Sequence, residues 1–171
     1  MTAPARHFTA DYVERAILRD GTAVRLRLVT PEDKPLLLAG FQRMSPASRY
    51  ARFLGPKDTL SADELRYLTE IDQERHFALG AVTEDGDGHG APIGAGVARF
   101  IRLPEPPATA EAAVAVADEL QGRGLGKLLF MRLCAAARER GIERFRCEVL
   151  GSNTGMRNLI EAVSPDRRIE A

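Results

Sequence analysis

A run of six residues, Gln121-Gly122-Arg123-Gly124-Leu125-Gly126, constrains this chain more than any other feature, because the hydrophobic period changes across it. Before it, residues 111–117 (EAAVAVA) are small and branched, the pattern of a central strand covered on both faces. After it, Leu125, Leu128, Leu129, Leu133, Ala136 and Ala137 recur at helical spacing, which predicts an amphipathic helix over residues 124–140 that Gly141 ends. A strand, a glycine turn and an amphipathic helix pack the helix back onto a sheet. The chain therefore belongs among folds that combine a sheet with helices.

The remaining segments extend that reading. Residues 23–28 (AVRLRL) alternate as a half-buried strand. Thr30-Pro31-Glu32-Asp33 starts a helix to about Arg43, Ser45-Pro46 starts another, and Ser61 with Glu64 forms a capping box for a third. Two apolar strands, residues 76–83 and 93–100, flank a Gly/Asp-rich hairpin loop over residues 84–90 and should pair antiparallel. Residues 144–150 read as a strand and residues 153–163 as a helix. Residues 1–15 show no periodicity, so residues 1–20 are expected to form an N-terminal arm ahead of one domain, residues 21–171. The fold class is mixed α/β, with helices flanking a mixed, mainly antiparallel sheet.

Composition removes several functions. At 44% hydrophobic and 28% charged, the 171 residues can bury a core and clothe it. Basic and acidic residues both number 24, which disfavours a general nucleic-acid binder. No apolar run reaches membrane-spanning length and the N-terminus has no signal-like apolar stretch, so no membrane partner and a cytoplasmic location are expected. Cys134 and Cys147 have no metal-ligand spacing and read as reduced core thiols. His7, His76 and His89 are not placed for catalysis, and no metal is expected. Arg49, Arg52 and Arg66 either face an acidic protein substrate or are simply solvated.

The glycines of residues 121–126 let several backbone N–H groups point into one concavity, which binds phosphate; the alternative is a turn without a ligand. The loop lacks the third glycine of a dinucleotide fingerprint, and Gly126-Lys127-Leu128 lacks the Ser or Thr of a Walker A loop. It resembles instead the acetyl-CoA loop of the GCN5-related N-acetyltransferase (GNAT) family, Q/R-x-x-G-x-G/A, with Gln121, Gly124 and Gly126 at the fixed positions. The resemblance runs from residue 22 to residue 163. Glu148-Val149 followed by Asn153 is similar to the family's L-E-V-x-x-x-N segment. Residues 45–53 (SPASRYARF) and 111–118 (EAAVAVAD) resemble the bacterial protein-lysine acetyltransferase (Pat-like) branch.

This resemblance implies an acetyl-CoA-dependent N-acetyltransferase with acetyl-CoA as co-substrate, acting on a protein lysine or a small amine. The other readings are a catalytically inactive acyl-CoA-binding module and a small-molecule amine acetyltransferase. It implies that Gln121, Gly122, Arg123, Gly124, Leu125, Gly126 and Lys127 hold the pyrophosphate, while Val114, Ala115 and Val116 hold the pantetheine arm. One backbone N–H of residues 114–116 would stabilise the thioester oxygen. Asn153 either contacts the arm or caps a helix. A lysine amine, with a reference pKa of about 10.4, must lose a proton before it attacks, and such a base works best when partly buried. Glu111 is the first candidate base and Glu148 the second; each has the alternative of a solvated strand-end charge. The tyrosine that many members use as a general acid is replaced by Ile160. Only eight residues follow the last helix, so the family's C-terminal strands are expected to be missing. The strand 144–150 would then carry an open edge for a homodimer or a partner strand.

Overall fold

The computed structural model describes residues 4–84, 90–164 and 166–168. A six-stranded sheet runs in the order β1 (Val13–Ile17), β2 (Ala23–Leu28), β3 (His76–Thr83), β4 (Gly94–Arg102), β5 (Thr109–Val116), β6 (Arg144–Arg146). Every neighbouring pair is antiparallel except β5 with β6, which is parallel. Helices α1 (Lys34–Arg43), α2 (Pro46–Phe53) and α3 (Ala62–Thr69) follow β2; α4 (Leu125–Glu139) follows β5 and α5 (Thr154–Val163) closes the order. The mixed, mainly antiparallel sheet with flanking helices is the fold class the sequence gives reason to expect. Residues 85–89, including His89 and most of the expected hairpin loop, lie outside the described residues.

Local chemistry explains the helix boundaries. Ser61 accepts from the Glu64 N–H at 3.1 Å while Glu64 accepts from the Ser61 N–H at 2.8 Å, the reciprocal capping box. Ser45 accepts from Ser48 N–H at 3.1 Å and starts α2. Helix α4 seats Leu125, Leu129 and Leu133, all fully buried, on the sheet. It can approach because β4 has Gly96 beneath it: a Cβ there would stand 2.9 Å from Leu129 Cδ1 and 3.0 Å from the Ala115 carbonyl. From Gly96 onward, even-numbered residues of β4 thus face α4, and odd-numbered ones face α1, α2 and α3.

Two expectations are corrected. The arm expected over residues 1–20 is replaced, among its described residues, by structure: residues 13–17 pair with β2 as an outer strand, and Phe8 and Tyr12 enter the core at 3% and 6% exposure. Glu139 accepts from the His7 and Phe8 N–H groups at 2.9 and 3.1 Å, and Glu14 holds Arg132 of α4 through two bonds of 2.7 and 2.8 Å. The strand escapes pattern reading because its apolar residues are on the wrong face. Val13 and Ile17 point outward, 57% and 71% exposed, while Glu14 turns toward Arg132. Secondly, the last strand stops at Arg146 rather than Leu150, because the chain diverges from β5 after three paired residues. No helix among the described residues is long and apolar enough to cross a membrane.

Candidate functional site

The divergence of β5 and β6 creates the site. Ala117 N–H donates to the Ala95 carbonyl at 2.8 Å and Leu103 N–H to the Thr109 carbonyl at 2.9 Å, so odd-numbered residues of β5 turn their backbone groups toward β4. Alternation leaves the N–H and C=O of Ala112, Val114 and Val116 on the other edge. The β6 ladder covers that edge only from Thr109 to Glu111. Beyond it the edge is open, and the Val114 N–H has no acceptor among the described residues. The Val116 carbonyl accepts from Gln121 Nε2 at 3.2 Å, so Gln121 ties the strand end to the loop that follows.

That loop ends at Gly124, the N-cap of α4, with φ +92°; Gly122 has φ +74°. Both values lie where a side chain is strained, and the glycine cap supplies no side-chain acceptor to the helix. Among the described residues, no hydrogen bond uses the N–H groups of residues 122–127. Six successive donors at the positive end of a 15-residue helix therefore remain free, an anion-binding arrangement. Leu125 itself is buried, so it contributes its backbone and anchors the helix. Lys127 is exposed on the first turn of α4.

Residues outside the motif hold the loop in place. The Arg123 carbonyl accepts from Arg19 N–H at 3.3 Å, and the Arg123 guanidinium pairs with Asp20, so the β1–β2 turn buttresses the loop from behind. Asp118 accepts from Ser45 N–H at 2.9 Å and the Ser48 hydroxyl at 2.7 Å, joining the start of α2 to the end of β5. Burial opposes its charge, yet the bonds from Ser48 and Ser45 outweigh that and hold the carboxyl below the usual range. Sequence reasoning missed Arg19, Asp20 and Asp118. Only the last carried a signal, an acid immediately beyond a strand that leads into a glycine loop.

Of the two candidate bases, Glu111 sits on β5 opposite Ile101 and Arg146, exposed, three residues before the free Val114 N–H. Glu148 is exposed in the irregular segment after β6. The partial burial expected of a base is not supplied by the chain at either position. Asn153 accepts from Met156 N–H at 3.1 Å, which is the helix-cap alternative. Ile160 packs on the core with Leu159 and Val163. Leu159 lies beside Gly126, where a Cβ would be 3.8 Å from Leu159 Cδ2 and 3.6 Å from Val116 Cγ2. Burial raises the Cys147 thiol to about 11 and Cys134 shifts the same way, so both favour the protonated form. His7 packs edge-on against Phe8 and Tyr12. Arg49 donates to the Phe41 and Gln42 carbonyls and Arg66 pairs with Asp63, so these two arginines have partners within the fold.

Comparison with known proteins gives this geometry a lineage. The profile of the acetyltransferase (GNAT) family matches residues 45–163. Acetyltransferase Pat of Mycolicibacterium smegmatis is 35% identical over 151 residues, covering 84% of this chain and 41% of that protein. The chain thus spans less than half the length of that relative. An acetyltransferase of Pseudomonas aeruginosa is 34% identical over 143 residues, covering 83% of this chain and 74% of its own length. The crystal structure of the GNAT domain of S. lividans PAT superimposes with a TM-score of 0.80 at 31% identity, covering 92% of this chain and 89% of that one. The chain belongs to the GNAT acetyltransferase family, in its Pat-like branch.

Proposed function

We propose that this chain transfers the acetyl group of acetyl-CoA to an amine, the side chain of a protein lysine. The observation that carries the reading is the row of free N–H groups at residues 122–127, placed directly after a strand edge that the sheet leaves open. The two features fit the two ends of one molecule. Residues 122–127 suit a pyrophosphate, and the Val114 and Val116 edge suits the amide-bearing pantetheine arm, which can pair with it as a strand would.

Acetyl-CoA supplies an activated thioester. The Val114 N–H then faces an oxygen that gains negative charge during attack, and a fixed backbone dipole there needs no reorganisation. Glu111 is the residue that accepts the amine proton. It lies three residues before Val114 on the same strand, and its exposure leaves it reachable by a lysine on a large partner. Docking of that partner would complete the desolvation that the chain alone does not provide. No tyrosine occupies the Ile160 position, so water is left to protonate the departing thiolate.

The test is incubation of the purified chain with radiolabelled acetyl-CoA and either a cell lysate or a panel of small amines. Label on protein lysines supports the reading. Label confined to small amines replaces the acceptor, and cofactor binding without any transfer overturns the catalytic assignment.

A further inference from the structure

The face of the sheet opposite α4 holds a feature that acetyl transfer does not account for. A cavity of about 120 Å³ lies between that face and α1, α2 and α3, walled by apolar side chains such as Phe41, Phe53 and Leu68. It reaches β5 at Ala115 and Val116, so it adjoins the strand that carries the Val114 N–H. Two arginines open into it. Arg99 is 3% exposed on β4, opposite Ala113. Its Nη1 donates to the Leu68 carbonyl at 3.1 Å and lies 2.9 Å from His76 Nε2, which must accept because a guanidinium can only donate. Its Nε is buried and has no partner among the described residues. Arg52, half-buried on α2, forms no ion pair among the described residues and stacks against Phe53 at 5.0 Å.

The charges here do not cancel. The other charged pair on the cavity wall, Arg27 with Asp33, is joined by two bonds of 2.7 and 2.8 Å and needs nothing more. Arg52 and Arg99 have each other as neighbours, and burial together with Arg52 brings Arg99 down to about 9. Among the carboxylates of the described residues, Glu111 alone favours the charge on Arg52. Leaving buried guanidinium groups uncompensated is expensive, and an incoming anion would remove the cost.

We propose that Arg52 and Arg99 form a carboxylate-binding subsite for the acceptor, so that the preferred acceptor carries a carboxylate close to its reactive amine. The proposal rests on the amine-acetylation reading given above. Arg52 meets the carboxylate at the cavity wall nearest Glu111, and the unpaired Arg99 Nε supplies a further donor. A planar guanidinium suits a carboxylate better than an ammonium would. The same chemistry can come from an acidic residue beside a target lysine or from the carboxylate of a free amino acid.

Initial rates at saturating acetyl-CoA separate the sources. One arm compares peptides with a single lysine flanked by Glu or by Gln; the other compares free lysine with lysine amide. The expected result is a KM at least tenfold lower for the acid in one of the pairs, and Arg52→Gln should raise that KM to the level of the neutral partner. Discrimination in the peptide pair assigns the carboxylate to a polypeptide, and in the lysine pair to an amino acid. Equal KM values in both pairs, with transfer proceeding, overturn the subsite. A thermal-unfolding series with glutarate against glutaramide, at matched ionic strength, covers the case of no transfer. Stabilisation by glutarate that Arg52→Gln abolishes then keeps the anion site while the acetylation reading falls. No stabilisation overturns the site itself.

Discussion

Gly96→Ala separates packing from pattern on this sheet. The added Cβ would stand 2.9 Å from Leu129 Cδ1 and 3.0 Å from the Ala115 carbonyl. Neither neighbour can yield easily, since Leu129 is fully buried and Ala115 is held in the β4–β5 ladder. Overpacking of this kind costs about 1–3 kcal/mol. For a chain of this size each kcal/mol lowers Tm by roughly 2–4 °C, so a fall on the order of 5 °C is expected. The matched control is Gly126→Ala on α4, where the new Cβ would meet Val116 at 3.6 Å and Leu159 at 3.8 Å, ordinary contact distances. Replacing a helical glycine with alanine gains about 0.5–1 kcal/mol, so this variant should be as stable as the parent or more so. Circular dichroism during thermal and urea unfolding reads both. The Gly96 variant should also show a raised KM for acetyl-CoA, because displacing Ala115 moves the neighbouring Val114 N–H. A Gly96→Ala chain as stable as the parent, or the same sign of shift in both variants, would refute the close-approach argument.

Gly126→Glu should abolish acetyl-CoA binding in a folded chain, since it puts a long anionic side chain between Val116 and Leu159 beside the phosphate donors; calorimetry showing unchanged affinity would sink the loop assignment. Glu111→Gln should lower kcat by about 10² with acetyl-CoA affinity intact, the usual scale for a general base, and a large loss in Glu148→Gln with none at Glu111 would transfer the role. Burial, reinforced by Arg99, brings His76 from 6.5 down to about 4, so the unfolded chain binds a proton between those values that the folded chain does not. Stability from this residue is therefore complete above pH 6.5 and is lost as pH falls toward 4; His76→Gln should flatten that part of the stability profile, and NMR titration of its ring near 6.5 would contradict the assignment. Asp33→Asn removes the partner of Arg27 and should cost about 3 kcal/mol at pH 7. Burial opposes the Asp33 charge, but the Arg27 and Thr30 bonds hold its carboxyl low, so the penalty should shrink only as pH falls below the unfolded carboxylate value of about 3.9.

What could be read in advance was whatever local chemistry decides. The cap of Ser61 on α3, the leucine stripe of α4 and the glycine turn before it all depend on residues within one or two helical turns, and each is where the pattern put it. The place of the glycine loop between a strand and a helix was legible for the same reason, whereas a role for residues 114–116 came only from the family resemblance. Features fixed by distant partners were not. Strand β1 hides because Glu14 points inward to meet Arg132, 118 residues away in sequence. The end of β6 at Arg146 depends on its departure from β5, which residues 144–150 do not encode in their alternation. Arg52 looked like the other helical arginines; only the sheet position of Arg99 distinguishes it.

The support of the phosphate loop by the β1–β2 turn bears on how this domain is cut for study. The family match starts at residue 45, after both strands of that turn, yet the Arg19 N–H and the Asp20 carboxylate hold Arg123, and Phe8 and Tyr12 fill the core. The segment by which the family is recognised is therefore shorter than the segment that must fold. A fragment trimmed to residues 45–163 would keep every motif residue and lose the brace behind them, together with two strands of the sheet. Inactivity of such a fragment would report on the missing hairpin, and not on the motif.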